Sequence, residues 1–361
     1  MFLSYTNSRS INSREITWFL CLAFVSKILF ADISRYVSSS GTCAYMQTAW
    51  NALLAFLLFK ILSRCLKGED LLYSTKLVFG SKGQKAVGFL VSLFLLFNAG
   101  IMVRVYSDII GSIVLPDASD FFIVAFMAVA ICVACFSGVC TIVSYAYGAG
   151  IVVVATLAVI LLLNTPNYHK TNIYPLFGNG VSKILSDING LSVYSDVLLI
   201  FLVSPYLKEH ASVEKAGTKA ILISGAVVTL TTFLYILSVP YPSSASFTLP
   251  ILEIAFSVNL DVVFQRAEGL FLFMWILSGF TVISAYICFS ISSIEKSFGF
   301  SDRRALVGVC VFISITLALF LGNSADSSKI YDMFYKIFTT LAFLLPAIIF
   351  AVCRFRHKEN L

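Results

Sequence analysis

Long apolar stretches recur along the whole chain and are separated by short polar segments. A helix needs about 20 mostly apolar residues to cross the hydrocarbon core of a bilayer. Read with that length, the pattern predicts ten membrane-spanning helices in one membrane domain over residues 1–361. These predicted spans, numbered one to ten, cover residues 16–36, 44–63, 84–114, 119–137, 140–163, 190–207, 217–239, 264–294, 303–321 and 330–353.

The boundary between spans four and five lies in a stretch, Phe121 to Leu163, that contains no Asp, Glu, Lys or Arg. A single helix of this length would measure about 64 Å at 1.5 Å per residue, roughly twice the hydrocarbon thickness. We therefore expect a turn at FSGVCT, Phe136 to Thr141. Two further apolar segments, residues 174–188 and 247–258, do not suit a span and are expected at the outer surface.

Composition agrees with a membrane protein. Of the 361 residues, 59% are hydrophobic and only 12% are charged, whereas soluble domains carry about 25% charged residues. Such a chain cannot build a solvated surface of normal size, so a separate soluble domain is not expected. The motifs of soluble enzymes and of metal or phosphate sites, such as HExxH and the Walker loop, do not occur. We therefore predict a protein without catalytic activity, metal or cofactor.

Lys and Arg residues indicate the orientation in the membrane. If the N-terminus is cytoplasmic, the predicted outer loops contain only Lys170, Lys183 and Lys329, and the other loop cations lie inside. The positive-inside rule then places both terminal segments, residues 1–15 and 354–361, in the cytoplasm. The formal net charge of +6 follows from this topology and does not indicate nucleic-acid binding.

Ionisable side chains inside predicted spans are costly, and they usually form pairs or serve a function. Lys27, near the middle of span one, has no partner at a suitable spacing in its own helix. We expect its ammonium group to face the protein interior or a water-filled cavity. Three other pairs of opposite charge stand three or four residues apart, where side chains of one helix meet: Asp32 with Arg35, Arg104 with Asp108, and Asp332 with Lys336.

Span six starts with the polar sequence NGLSVYSD, which is rich in Gly and Ser and favours a broken helix. A broken helix exposes backbone groups at mid-membrane, where a ligand can bind them. Tyr194, Ser195 and Asp196 are therefore candidate ligand-binding residues, with the alternative that Asp196 faces outer solvent. Asn98 is a lone amide in span three, and it either joins two helices by hydrogen bonds or contacts a ligand.

Span eight opens with Arg266 and Glu268, which are expected at the outer mouth of the span. Glu268, Phe271 and Trp275 share one helical face, and we predict that this face turns inward. Phe271 and Trp275 would then wall the ligand site, while Arg266 and Glu268 would gate it or couple it to a neighbouring helix. Phe273 would lie on the opposite face.

Ten spans divide into five plus five, and an odd number per half predicts two inverted copies with broken first and sixth helices, as in amino-acid-transporter folds. The chain also resembles the permease-like B subunits of bacterial spore germinant receptors, and the resemblance covers nearly its whole length. The matching stretches are QTAWNALLA, GEDLLYSTKLVFGSKGQKAVGFL, YPLFGNGVSKIL and YSDVLLIFLVSPYLKE, followed in span eight by Arg266, Glu268, Leu270, Phe271 and Trp275.

The resemblance implies an all-α membrane protein that senses a small nutrient, such as an amino acid, at mid-membrane between spans one, three, six and eight. The carboxylate of the nutrient would meet free backbone amides near Val25, Ser26 and Lys27, and its amine would meet carbonyl groups or Asp196. The partners implied are a large membrane subunit of A type and a lipoprotein of C type, in the inner spore membrane.

The chain departs from this family at two places. Family members commonly carry a Gly-containing stretch that ends in Leu-Pro in the first helix, but SKILFADISRY has neither Gly nor Pro. Asp196 stands where span six usually has Glu. Both departures fall at the expected ligand position and leave the nutrient open. Two other functions also stay open: an amino-acid secondary transporter of the same fold, and a structural or channel-forming subunit that needs no ligand pocket.

Overall fold

The computed structural model describes residues 10–29, 32–65, 70–207, 212–258, 267–300, 302–321 and 325–359. Most of these residues are helical. The α-helices of the described ranges are α1 Ser13–Ile28, α2 Asp32–Ser40, α3 Ala44–Cys65, α4 Leu71–Ile109, α5 Asp120–Phe136, α6 Val139–Leu163, α7 Val181–Ser186, α8 Val197–Val203, α9 Ser212–Ser238, α10 Pro250–Ser257, α11 Ala267–Phe298, α12 Arg303–Phe320 and α13 Ala325–Glu359.

Within those ranges, eight helical stretches are long and apolar enough to cross a membrane. Helix α5, with 17 residues, is apolar but shorter. All ten predicted spans nevertheless fall on helical segments. Spans one and six are broken, and the other eight coincide with α3, α4, α5, α6, α9, α11, α12 and α13. The chain is thus an all-α, multi-pass membrane protein, as predicted.

Spans one and six are both broken, and the break in span six lies in the segment where the sequence predicts it. Helix α1 ends at Ile28 and α2 resumes at Asp32, so span one is interrupted near its middle. Span six begins as a 3-10 helix, Ile188–Tyr194, and becomes α-helical only from Val197. Gly and Ser in this 3-10 segment weaken an α-helix, because Gly loses backbone entropy and Ser competes for backbone hydrogen bonds.

The apolar stretch between spans four and five folds back as predicted. Helix α5 ends at Phe136 and α6 begins at Val139. Gly138 between them has a φ angle of 85°, which residues with a Cβ atom rarely adopt. The two apolar segments that were not expected to cross form the short helices α7 and α10. Pro250 is the first residue of α10, where its missing amide proton has no helical partner to lose.

Helix α4 is longer than the predicted span three. It begins at Leu71 and bends at Gly80, whose φ angle is 71°. The prediction began at residue 84, because the preceding segment contains Lys and Gly residues that lower its hydropathy. The helix thus starts before the apolar stretch that defines the predicted span.

Helix packing places the two broken spans in the centre of the bundle. Helix α1 packs between α6 and α9, and α4 packs along α11 and α12. Every residue of α8 is buried. Ser92 of α4 and Ser290 of α11 share a hydrogen bond of 2.5 Å, and such polar contacts join helices where lipid provides no hydrophobic driving force.

Two of the predicted charge pairs are confirmed. Arg35 contacts Asp32 at 3.2 Å. Arg104 contacts Asp108 and, in addition, Asp120 at the start of α5, at 2.9 Å. The third predicted pair involves the side chain of residue 332, which lies outside the described part of the chain, so this pair stays a prediction.

Candidate functional site

A buried ion pair joins the two broken spans. Lys27 lies one residue before the end of α1, and its Nζ atom is 2.9 Å from Oδ2 of Asp196. The same ammonium group donates to the carbonyl oxygen of Ser192 at 2.9 Å and to Oγ of Ser195 at 2.8 Å. The two charged side chains are 4% and 0% exposed. The predicted interior position of Lys27 is confirmed, and Asp196 does not face solvent.

Helices α11 and α4 complete this cluster. The Tyr286 hydroxyl of α11 donates to Oδ1 of Asp196 at 2.7 Å. Asn98 of α4 is buried beside the Tyr286 hydroxyl, but neither polar atom of its amide has a hydrogen-bond partner of standard geometry among the described residues. Buried amides are nearly always hydrogen-bonded. Both alternatives for Asn98, a hydrogen-bonded link between helices and a ligand contact, stay predictions.

The backbone at the end of α1 differs from the prediction. Val25, Ser26 and Lys27 all lie inside α1, so their amide groups belong to the helical hydrogen-bond pattern. The Leu29 amide closes the helix by donating to the carbonyl oxygens of Val25 and Ser26, at 3.3 and 3.2 Å. The prediction of free amides at these three positions is wrong, because the C-terminal end of a helix leaves carbonyl groups without helical partners, not amides.

Tyr194 lies apart from its two neighbours in sequence. Its ring packs against Phe24 with a centroid distance of 5.3 Å, and its hydroxyl has no hydrogen-bond partner within the described ranges. Ser195 and Asp196, in contrast, contact the Lys27 ammonium. The structure thus brings two of the three candidate residues of span six into the polar cluster and turns the third towards an aromatic neighbour.

The predicted inward face of span eight is observed. Phe271 and Trp275 are fully buried, whereas Phe273 is 57% exposed. The Trp275 ring stacks on Tyr106 of α4 with a centroid distance of 4.1 Å. Glu268 is half-buried at the start of α11, and residue 266 lies outside the described part of the chain. The roles predicted for these two charged residues stay predictions.

Phe271 and Trp275 of span eight lie away from the ion pair along α11. Trp275 precedes Tyr286 by eleven positions, which corresponds to about 16 Å along a helix at 1.5 Å per residue. The Tyr106 hydroxyl donates to the carbonyl oxygen of Trp275 at 3.0 Å, which couples α4 to α11 at this level. Phe271 and Trp275 therefore form an aromatic layer separated from the polar cluster, and their role as pocket walls stays a prediction.

A large cavity approaches the ion pair from the side. It has a volume of about 880 Å³ and lies between α2, α3, the 3-10 helix Ile188–Tyr194 and α13. Ser192 lines this cavity, and its carbonyl oxygen accepts a hydrogen bond from Lys27. The charged residues of the cavity lining are Asp32, Arg35, Asp187 and Lys336.

The end of the bundle that contains Ile11, Asp70 and Lys296, here called the N-terminal face, is closed by polar contacts. The Ile11 amide donates to the Tyr206 carbonyl at 2.9 Å. Lys296 contacts Asp70 at 3.2 Å and lies over the Tyr206 ring at 4.7 Å. Burial raises the pKa of the Asp70 carboxyl, and the Lys296 ammonium partly opposes this effect. These contacts join the segment before α1, the end of span six, and helices α4 and α11.

Several residues of the site escape prediction from the sequence. Tyr286 is one of 16 tyrosines, and nothing in its local pattern marks it as a partner of Asp196. Ser192 contributes a backbone atom, which no side-chain pattern reveals. The residues that line the cavity come together only through the packing of α13 against the other helices, which the sequence does not reveal. In the described part of the chain, no group of three or more His, Cys, Asp or Glu side chains could hold a metal ion.

Comparison with solved structures supports the fold. The chain superimposes on Mhp1, a nucleobase-cation-symport-1 family transporter solved in a closed conformation with bromovinylhydantoin, with a TM-score of 0.63, 16% identity, and coverage of 97% of this chain and 81% of that one. A Na⁺-coupled sialic acid symporter gives a TM-score of 0.58 at 12% identity, with 91% and 77% coverage. The predicted transporter-like fold with broken first and sixth helices is confirmed.

Comparison with characterised sequences supports the family. The chain is 22% identical over 356 residues to spore germination protein KB of Bacillus subtilis (strain 168), covering 93% of this chain and 95% of that protein. It is 26% identical over 215 residues to spore germination protein A2 of the same organism, covering 57% of each. The family model described as spore germination protein matches residues 46–327. Because this match covers most of its length, the chain belongs to the spore permease family of spore germination proteins.

Proposed function

We propose that this chain is the nutrient-sensing membrane subunit of a spore germinant receptor. It binds a small nutrient, such as an amino acid, between spans one, three, six and eight, and it signals to partner subunits without catalysing a reaction. The observation that carries this proposal is the Lys27–Asp196 contact at 2.9 Å. Ionisable groups at such depth are rare and usually mark ligand sites, and this pair joins the two broken helices.

The surroundings of the ion pair suit a ligand. The Tyr286 hydroxyl donates a hydrogen bond to the Asp196 carboxylate, and the buried amide of Asn98 lies beside the same hydroxyl. The cavity of about 880 Å³ would give a nutrient its access route, with the segment around Ser192 as the barrier to cross. The Lys and Arg distribution supports a cytoplasmic N-terminal face, with the cavity opening towards the outer side.

The partners proposed are those implied by the family: a large membrane subunit of A type and a lipoprotein of C type, in the inner spore membrane. Nutrient binding would shift an existing conformational equilibrium by its differential affinity for the two states. The partner subunits would respond to that shift. The polar contacts at the N-terminal face, where Lys296 meets Asp70, are the element of this chain most suited to change on the cytoplasmic side.

An amino-acid secondary transporter is the second candidate, because both structural neighbours described above are transporters. The two functions differ in net movement of substrate. Purified protein in lipid vesicles would accumulate a labelled amino acid if it is a transporter. A sensor would bind the amino acid without net uptake.

The experiment that tests the proposal is a nutrient dose–response of germinating spores. Asp196→Asn removes the buried negative charge and should shift or abolish the response to the nutrient at unchanged protein abundance. Asp117→Asn is the matched control, because Asp117 is an exposed loop residue. Identical dose–response curves for Asp196→Asn and the control, across several amino acids, would count against a site at the ion pair.

A further inference from the structure

The cavity of about 880 Å³ has a charged end and an apolar end. Helix α13 lines it with residues that recur at spacings of three and four, which places them on one face of the helix: Lys336, Thr339, Thr340, Phe343, Leu344 and Ala347. This face changes from charged to apolar over the eleven positions from Lys336 to Ala347, a distance of about 16 Å at 1.5 Å per residue. A ligand that fills the cavity must therefore be polar at one end and apolar at the other.

Both signs of charge meet at the charged end. Arg35 of α2 contacts Asp32 at 3.2 Å. The Arg35 guanidinium also lies 5.8 Å from the centre of the Tyr335 ring, so it is close to Lys336, the next residue of α13. Asp187 lines the same cavity. This end lies away from the N-terminal face, because α1 begins at that face and α2 follows its other end. Two cations and two carboxylates together suit a headgroup that carries one negative and one positive group.

Four hydroxyl groups of the lining already have partners within the protein. Those of Thr339 and Thr340 donate to carbonyl oxygens of α13 itself, at 2.7 and 2.8 Å. The Ser38 hydroxyl donates to a carbonyl oxygen one turn earlier at 2.8 Å, and the Ser39 hydroxyl donates to the Asp187 carboxylate at 2.5 Å. A polar molecule that extends beyond the charged end would lose its hydrogen bonds to water and find few in return, whereas an alkyl chain needs none.

The apolar end of the cavity is close to the hydrocarbon of the bilayer. Leu344 lines the cavity and is 52% exposed, near the middle of the apolar stretch Met333–Cys353. Leu58 lines the cavity from α3, and its neighbour Leu57 is 48% exposed. Side chains exposed at this depth contact acyl chains, because the bilayer core contains no water. The apolar end is therefore within reach of an acyl chain that enters between α3 and α13.

We propose that this cavity binds a phospholipid with an ethanolamine headgroup, taken from the leaflet opposite the N-terminal face. One acyl chain lies along α13 from Phe343 to Ala347. The lipid phosphate accepts hydrogen bonds from Arg35 and Lys336, and the headgroup ammonium donates to Asp187. Basic pockets between membrane helices are known to hold lipid headgroups, and a cavity of this volume takes ligands of drug size.

Lipid binding goes beyond the proposed function, because it requires no nutrient. It also bears on the access route proposed above. Ser192 lines the cavity, and its carbonyl oxygen accepts a hydrogen bond from Lys27. A bound lipid therefore lies on the route that leads a nutrient to the ion pair and leaves less room on it.

The test is native mass spectrometry of the full chain, stripped of bound lipid and titrated in detergent micelles. The probes are phosphatidylethanolamine, phosphatidylglycerol without the ammonium, diacylglycerol without the whole headgroup, and glycerophosphoethanolamine without the acyl chains. Each probe is titrated into the wild type, Lys336→Met and Asp187→Asn. The matched control is Lys170→Met, which removes an exposed lysine that does not line the cavity.

We expect the wild type to bind phosphatidylethanolamine at least about tenfold more tightly than phosphatidylglycerol or diacylglycerol, because each of these lacks at least one charge-assisted hydrogen bond. Lys336→Met should weaken binding of both phospholipids by about tenfold and leave diacylglycerol unchanged. Asp187→Asn should bind the two phospholipids equally, because it no longer pairs with the ammonium. Lys170→Met should match the wild type.

Two results would overturn the proposal. If phosphatidylethanolamine binds the wild type, Lys336→Met and Asp187→Asn with equal affinity, its headgroup does not occupy the charged end. If glycerophosphoethanolamine binds as tightly as phosphatidylethanolamine, no acyl chain occupies the apolar end and the occupant is not a lipid.

Discussion

Replacing Lys27 by Met removes the cation from the buried pair and leaves the Asp196 carboxylate, which is 0% exposed, without compensation. Breaking a buried pair in this way costs about 3–5 kcal/mol of the free energy of unfolding. The carboxylate can limit the cost by taking up a proton. At pH 7 this uptake costs an ordinary Asp about 4 kcal/mol, because its usual pKa of about 3.9 lies about 3 pH units lower. The two estimates agree, and we expect a loss of about 4 kcal/mol.

The loss should depend on pH. Folded Lys27→Met protein holds a proton on Asp196 that the unfolded chain releases near neutral pH, so a lower pH favours the folded state. Relative to the wild type, the free energy of unfolding of the variant should rise by about 1.4 kcal/mol for each pH unit between pH 7 and about pH 5.

Reversible unfolding in mixed micelles, followed by circular dichroism at several pH values, measures this difference. The control is Lys27→Met/Asp196→Asn, in which Asn takes up no proton and the slope relative to the wild type should vanish. The double variant should also be more stable than Lys27→Met at pH 7. If the stability of Lys27→Met relative to the wild type is the same at pH 5 and pH 7, Asp196 is not the uncompensated charge and the reasoning is refuted.

Two further predictions concern other parts of the bundle. Gly279→Ala places a Cβ 1.7 Å from a ring atom of Tyr106 and should lower the free energy of unfolding by about 1–3 kcal/mol. Gly269→Ala, where a Cβ meets nothing within 4 Å, should change it by less than about 0.5 kcal/mol; a larger loss there would contradict the packing. Lys296→Met should raise the pKa of Asp70 further, because burial already raises it and Lys296 opposes that effect. Asp70 of the variant should then lose its proton as pH rises, and its contacts at the N-terminal face should weaken. We therefore expect the amides of the N-terminal face to exchange hydrogen faster in the variant than in the wild type, with a larger difference at pH 8 than at pH 6. An equal excess at both would contradict this.

Sequence patterns predict the spans and the break in span six well, because a bilayer imposes a minimum apolar length and because Gly and Ser disfavour continuous α-helix. The interior position of Lys27 is also predictable, because a lone cation in an apolar span must find a partner inside the protein. Its partner is not predictable with certainty. Asp196 is 169 positions away in sequence, and only the packing of α1 against span six brings them together.

Two failed or incomplete predictions have physical causes as well. Free amides near Lys27 were expected at the break, but α1 continues to Ile28, so the break leaves carbonyl groups there. The sequence does not reveal on which side of a break the helix stops. Trp275 is inward-facing, as its helical face indicates, but its height relative to Asp196 depends on the vertical offset between α11 and span six. Helical periodicity carries no information on that offset.

The most direct test of the account is a structure of the protein with its bound nutrient. The account predicts that the nutrient lies at the breaks of spans one and six and contacts the Lys27–Asp196 pair, whose Nζ and Oδ2 atoms are 2.9 Å apart. It also predicts the ligand carboxylate next to Lys27 and the ligand ammonium next to Asp196. A nutrient bound elsewhere, with the Lys27–Asp196 contact intact, would contradict the central claim.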